Sequence, residues 1–454
     1  MKEGGNLAAG YTSFFKYERL PEPLLRFHMR RKYVNPRTGL SRAGPYDAYK
    51  HKCDDVRVGL VTGTSISGLA EKFMQHLKNG HGYYKGFCNV FKVNDFIFDN
   101  EMKKEINDKD NDVLSNIENA YFELAEKLPD KSSIIIILND ETINRNYVKI
   151  KAIRFKYSKK TIRLQLIKRS TLEKALKDSM MLDFTLFNVA TAIYAKLGGT
   201  PWILDQQLIP AGVFIGIAFT RPKIVAFNNK AKEIFYYGIL TVYNKYGRYI
   251  DMSVRGIKIE LSKNLKIRGT KGLYIPKSHM VEMLKQVIGT YFPPVVIIHK
   301  SARFHIDEKE AVKQVLGSRG IDYALIHIES SNPYRGYGED IYGKTVVRGD
   351  LILDTELNNR AILFTTGCTQ SDYGIQKRGR PGTPRPLELE VEENTTPYSV
   401  EDFAKQVFGL TKLDWNTTDL EVRMPITIKY ARRVAALASY LTAYSGITDI
   451  RDLM

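Results

Sequence analysis

Residues 145–177 carry twelve lysines and arginines against one acid, Glu173, and the chain then runs through an apolar helical stretch to a Lys196-Leu197-Gly198-Gly199 turn. Cations at that density, beside a predicted helix and a tight glycine turn, have the makings of a pocket for a multiply charged anion, phosphate foremost. A solvated basic face has the same composition, so charge alone leaves both readings open.

Other chemistries fail on spacing. Gly63 and Gly68 bracket TSIS like a phosphate-binding loop, but Leu69 follows where such a loop needs lysine, which argues against a nucleotide hydrolase. His299, His305 and His327 lack paired ligand spacing and read as structural or phosphate-facing. Cys53, Cys88 and Cys368 are too few and too scattered for a disulfide framework or a zinc site, so reduced, buried thiols in a cytosolic protein are expected.

Composition sets the class of partner. With 454 residues, 43% apolar and 11% aromatic, the chain can build two or three domains with real cores. Its 68 basic and 50 acidic residues give a formal charge of +18, more than solubility needs. A polyanionic partner follows, nucleic acid before an anionic membrane surface. The opening residues lack a signal-peptide h-region, and the aliphatic run 134–138 is far too short to span a bilayer, so a soluble, cytoplasmic protein is expected.

The elements that must position the basic run follow from periodicity. Strands are expected at 56–61, 87–93, 134–138 and 161–167, alternating with helices over 67–78, 113–128, the segment around Tyr147, and one long helix over about 172–196. That alternation predicts an α/β domain with a mostly parallel, doubly wound sheet over 56–190. Strands at 213–219, 236–243 and 249–254 then read as a meander, followed by alternating helix and strand through 278–288, 295–299, a helix opened by Asp307 and Glu310 in capping-box spacing, and 323–328. Strands at 346–353 and 361–366, a Gly, Pro and Arg-rich loop and a helix over 426–444 close the chain. Three antiparallel strands and then alternating helix and strand is the order of an RNase-H-like domain, here 191–454. Residues 1–55 are turn-rich, with strands expected to pack on that second lobe.

Several blocks together resemble one family. NPRTGL with GPYD near the start, YVKIK, KLGGTPWIL at the junction, VFIGIAFTRP, HKSARF, RGRPGTPRPL and PITIKYARRVAALA lie in the order found in short prokaryotic Argonautes, built of a Rossmann-like MID domain and an RNase-H-like PIWI domain. The resemblance covers residue 20 to the end. It implies a MID pocket for the 5′ phosphate of a guide strand, with Tyr147, Lys151, Gln165 and Lys196 at the matching positions. Tyr147 and Lys151 stand at i and i+4, expected on one face at the start of a helix. The spacing from Lys151 to Gln165 is longer than in the family, and Arg163 or Lys168 stands as an alternative. The family often adds a divalent cation such as Mg²⁺, here bridged to the C-terminal carboxylate of Met454.

The nuclease site is read the same way. Catalytic PIWI domains hold two metals on carboxylates around the scissile phosphate. Ala218 stands at the first acidic position, Ser301 at the second, and Arg432 where the last helix supplies an acid or histidine. The resemblance therefore implies no catalytic metal and no cleavage, unless Asp307 or Glu308 stands in. It implies a small guide RNA or DNA, a complementary target with DNA favoured, and a separately encoded effector partner in prokaryotic defence. The 94–111 segment and the acidic run 388–393 are candidate partner surfaces.

Overall fold

The computed structural model describes residues 14–156, 160–227, 232–261, 270, 272–289, 291–337, 345–371, 374–376 and 382–441. The smaller of its two main sheets is built on Asp55–Gly63, which pairs in parallel with Asp95–Ile97, Lys103–Ile106 and Ser133–Leu138. Ser133–Leu138 pairs in parallel with Arg163–Lys168. All six residues of Ser133–Leu138 are buried, as a parallel strand covered on both faces requires. Ile135 and Ile137 join the core that holds Phe73, Met74 and Leu77 of the helix Ser67–Asn79. Ile134, Ile136 and Leu138 join the opposite core with Ile117, Leu124, Ile150 and Ile153 of the helices Val113–Lys127 and Asp140–Lys156. This is the expected doubly wound arrangement.

The larger sheet has ten strands. Val213–Phe219 lies parallel to Val295–Lys300, which lies parallel to Asp322–Glu329, while Lys232–Asn244 runs antiparallel beside Val213–Phe219. Phe15–Arg19 pairs antiparallel with Asp350–Asp354. One face carries Ile215, Ile217, Val296 and Ile298 against the helices Lys277–Gly289 and Ile306–Val315. The other carries Phe214, Ala218 and Ile297 in the same core as Ile426, Ile428 and Val434 of the last helix, Ile426–Leu441. Gly216 makes that approach possible: a Cβ there would stand 2.0 Å from the Thr427 carbonyl oxygen.

Buried polar contacts tie segments distant in the sequence. Trp202, fully buried, donates its indole N–H to the Lys412 carbonyl at 2.9 Å. Arg348, also fully buried, reaches Glu22, the Val422 carbonyl and the Thr411 hydroxyl. Among the described residues no helix is long and apolar enough to cross a membrane.

Several local expectations need correction. Residues 87–93 form no strand: Phe87–Phe91 is a helical turn, ended by Lys92 at φ 58°, because one turn turns both phenylalanines inward with rings 4.8 Å apart. The single helix over 172–196 is two, Arg169–Lys177 and Ser179–Lys196, because the Asp178 side chain caps the second by accepting from the Met181 N–H. The helix after 300 is capped by His305 and Glu308 rather than by Asp307 and Glu310. Two stretches of the 94–111 segment are strands of the smaller sheet, and the buried Asp108 carboxylate accepts from the Asn139 N–H. Cys53 is exposed, and Cys368 alone of the three thiols is fully buried.

Candidate anion pocket and a carboxylate-poor nuclease position

Lys151 and Lys196 come from different helices and meet at one backbone oxygen. Lys151 Nζ donates to the Leu164 carbonyl at 3.3 Å and Lys196 Nζ donates to the same carbonyl at 2.9 Å. Gln165 joins them, its Oε1 accepting from Lys196 Nζ. The side chains of Lys151 and Lys196 are 4% and 1% exposed, so two ammonium groups share a site almost cut off from water. Burial, with the charges of Arg433 and Arg154, pulls the Lys151 pKa down to about 7, against a smaller opposing contribution from its bond with Lys196. Burial, then Lys151, Arg433 and Arg163, hold Lys196 well below its ordinary value. Lys151 thus lowers the Lys196 pKa, while the bond between the two works the other way on Lys151.

Tyr147 sits one turn before Lys151 and is 41% exposed, so its ring stands toward solvent at the mouth. Both residues lie well inside Asp140–Lys156, not at its start, so this helix contributes no free N-terminal N–H groups to them. Arg163, the alternative to Gln165, lies close enough to act on Lys196, whereas Lys168 bonds Asn144 instead. Arg433 was not legible as a pocket residue, because it lies more than two hundred residues away on the last helix. Its only sequence signal was the paired arginine of KYARR.

The glycine turn after Lys196 is anchored by the aspartate of the distant GPYD block. Asp47 accepts from the Thr200 N–H at 2.9 Å and from the Tyr194 hydroxyl at 2.9 Å. Gly199 approaches the Tyr194 ring so closely that a Cβ would stand 2.2 Å from it. Asp47→Ala is expected to cost about 2 kcal/mol, because the buried Thr200 N–H loses its acceptor. Denaturant unfolding of the variant checks this.

Ala218, Ser301 and Arg432 are brought together as the sequence order implies, around one cavity of about 90 Å³ with Phe219, Lys300 and Glu329. Lys300 and Glu308 form a buried ion pair at 2.6 Å, 1% and 0% exposed. Glu308 also accepts from the His305 and Ile275 N–H groups, so it is committed and does not replace the missing acids. Asp307 accepts from the Lys277 N–H. His299 is buried, with Nδ1 2.9 Å from the Thr427 hydroxyl, and burial pushes its pKa down to about 3, which marks it as a neutral core group.

A second basic patch was not anticipated. Arg385, Arg423 and Lys429 line a cavity of about 520 Å³ with Thr366, Thr417, Asp419 and Glu421, and Lys429 is paired with Asp414. Burial lowers the Arg423 pKa, and the charges of Arg385, Arg335 and Arg432 lower it further, which places all four guanidinium groups in one field. The acidic run behaves oppositely: Glu388 pairs Arg360, Glu390 pairs Arg303 and Glu392 pairs Lys309. Those acids are engaged within the chain.

For metals, the described residues include no group of three or more His, Cys, Asp or Glu arranged to hold an ion. The charges named around Lys151 and Lys196 are all positive, and the divalent cation that the resemblance implies depends on the Met454 carboxylate and a guide phosphate. Met454 lies outside the described residues.

These features define a mixed α/β protein in which a Rossmann-like parallel sheet adjoins an RNase-H-like mixed sheet. It is similar to Argonaute proteins in both sequence and structure. No family model matches the chain. It is 25% identical over 438 residues, 89% of its length, to the argonaute protein of Cereibacter sphaeroides, and spans 53% of that relative, about half. The structure of Clostridium butyricum Argonaute bound to a guide DNA and a 19-mer target DNA has a TM-score of 0.68 at 19% identity, covering 96% of this chain and 54% of that one. Marinitoga piezophila Argonaute in complex with a 5′-OH guide RNA has a TM-score of 0.62 at 15% identity, covering 100% of this chain and 61% of that one.

Proposed function

We propose that the protein is a short Argonaute that anchors the 5′-phosphorylated end of a small guide strand and uses it to recognise complementary nucleic acid without cutting it. The observation that carries this reading is the pair of buried ammonium groups, Lys151 and Lys196, meeting at the Leu164 carbonyl with Gln165 beside them. Two desolvated ammonium groups in one site are costly, and a bound anion offsets that cost. A terminal phosphate does so, with Arg433 adding charge from the other lobe and Tyr147 placed to stack on the first base. The patch of Arg385, Arg423 and Lys429 is suited to strand backbone, while base pairing supplies sequence specificity.

With alanine, serine and arginine at the nuclease position, the output passes to another molecule. We assign the protein to cytoplasmic prokaryotic defence, with a guide RNA or DNA, a target that is preferably DNA, and a separately encoded effector partner. A divalent cation at the guide phosphate rests on the Met454 carboxylate alone, and no binding step is drawn through it.

Guide affinity is expected to depend on pH. Lys151 titrates near 7 in the free protein, and phosphate raises that value in the complex, so binding takes up a proton above pH 7. Affinity should therefore be full below pH 7 and fall by up to about tenfold per unit above it, while loss of the phosphate's second charge below pH ~6 weakens the acidic side. Titrations from pH 5.5 to 9 check this, with a 5′-hydroxyl guide giving a flat profile.

The reading as a whole is tested by sequencing nucleic acid that copurifies with the protein from its host. Small strands of narrow length with 5′ phosphates are the expected result. Heterogeneous fragments without a 5′ signature would instead indicate a guide-independent binding subunit.

A further inference from the structure

Gln406 is a buried amide without a partner. It is 2% exposed, yet its side chain makes no hydrogen bond among the described residues, and Oε1 is wholly shielded from water. It lines a cavity of about 550 Å³ between the segments 20–24 and 204–208 and the helix Val400–Thr411. Leu20, Pro21, Leu24, Leu204, Leu208 and Phe408 form apolar walls, and the Asp205 N–H, donating to the Leu24 carbonyl at 2.9 Å, holds the two segments together. The charges of the lining are committed within the chain: Glu22 pairs with the buried Arg348 and Lys412, Lys405 pairs with Glu401, and Asp402 closes the capping box on Ser399. Gln207 bonds Tyr246, and Gln206 stands in solvent. Gln406 is therefore left as a polar anchor in a neutral, apolar groove. An amide holds an acceptor and two donors in one plane. An extended peptide residue presents its N–H and C=O on one side, so the two can exchange a pair of hydrogen bonds as facing residues of a ladder do. A pure hydrocarbon would leave the amide unpaired, and a charged segment would find no free countercharge in the lining.

We infer that this groove docks an uncharged, extended segment of a partner protein, held through its backbone by Gln406 and through aliphatic side chains at alternate positions by the apolar walls. The inference is independent of the guide reading, since the lining shares no residue with the pocket of Lys151 and Lys196 or with the patch of Arg385, Arg423 and Lys429.

The probe is a positional library of heptapeptides, acetylated and amidated at their ends, drawn from Leu, Ile, Val, Ala, Gly and Ser, with matched sets carrying one Lys or one Asp. Screened against the full chain, it should yield neutral peptides with aliphatic residues at alternate positions, and the charged counterparts should bind more weakly. In the best peptide, N-methylation at one position should weaken binding to the wild type about tenfold and change nothing in Gln406→Leu, because one backbone hydrogen bond to the amide is removed. Leu24→Asp, at a wall position 40% exposed and so tolerant of a polar side chain, should abolish binding. Gln406→Leu should also raise the melting temperature of the free protein by ~1–2 °C, since an unpaired buried amide is replaced by an apolar group of similar size. A library from which the wild type selects nothing overturns the inference, as does a selected peptide whose affinity neither Gln406→Leu nor Leu24→Asp alters. Selection of the Lys or Asp sets would place binding on a charged surface instead. Self-association of the free protein that the peptide disrupts would put a second copy of this chain in the groove, and would equally overturn the partner.

Discussion

Replacing Lys151 and Lys196 together by methionine is expected to weaken binding of a 5′-phosphorylated guide by about a thousandfold while making the free protein more stable. Each ammonium contributes a charge-assisted bond to phosphate worth ~1.5–3 kcal/mol, so losing both costs roughly two to four powers of ten. In the free protein the same groups are a burden. They are 4% and 1% exposed, share one carbonyl, and are held below their ordinary pKa by burial and by neighbouring positive charges, Arg433 among them for both. Methionine fills similar volume without charge, and exchanges of this kind stabilise by ~1–4 kcal/mol. The free-protein gain should be largest at neutral pH and shrink toward pH 10. The unfolded lysines bind more protons than the folded ones over that range, so the wild type itself becomes more stable as pH rises. Thermal melts and guide titrations of one preparation give both numbers. A variant that keeps its preference for phosphate, or melts lower than wild type, contradicts the assignment of these lysines to an anion.

Guide-loaded protein is expected to leave a complementary target uncut in Mg²⁺ or Mn²⁺, with product no higher than in the absence of protein. Two-metal cleavage needs anionic oxygen ligands on both sides of the phosphate, and the residues gathered here are Ala218, Ser301 and Arg432. Their shared cavity makes a gain-of-function arm available. Ala218→Asp, Ser301→Asp and Arg432→Asp, combined, place three carboxylates in the lining and should create Mn²⁺ binding that calorimetry detects and the wild type lacks. Guide-dependent cleavage by the unaltered chain would refute the reading of this site, and Glu308, already bonded to Lys300, is not available to explain it.

How much of this was legible in the sequence follows the range of the interactions. Local periodicity located most strands and helices of the smaller sheet, because an all-apolar run such as Ser133–Leu138 is buried on both faces. It failed where one side chain decides a boundary, as Asp178 does in splitting the predicted long helix. It failed again at Phe87–Phe91, where a short apolar run fits a strand or a helical turn equally well. Of the pocket, Lys151 and Lys196 were readable from their blocks and Gln165 from the resemblance alone, beside Arg163 and Lys168, and the structure joins the three. Their burial was not readable: twelve cations in one run look alike, and only packing separates Lys151 at 4% exposure from the exposed Lys149 two residues before it. Arg433 and the Arg385–Arg423–Lys429 patch were invisible for a simpler reason. Arg433 and Lys429 stand on the last helix and come beside Lys151 and Arg385 only when segments distant in sequence fold together. Asp47 shows the same principle in reverse, since the GPYD and KLGG blocks belong together because one caps the turn of the other.

The most direct measurement of the central claim is the affinity of the purified protein for one oligonucleotide sequence carrying either a 5′ phosphate or a 5′ hydroxyl, at pH 6.5 and fixed salt. Two buried ammonium groups in one site predict a preference of at least ~100-fold for the phosphate, lost in the Lys151→Met, Lys196→Met variant. Equal affinities for the two strands would contradict the account and return the basic run to a solvated face.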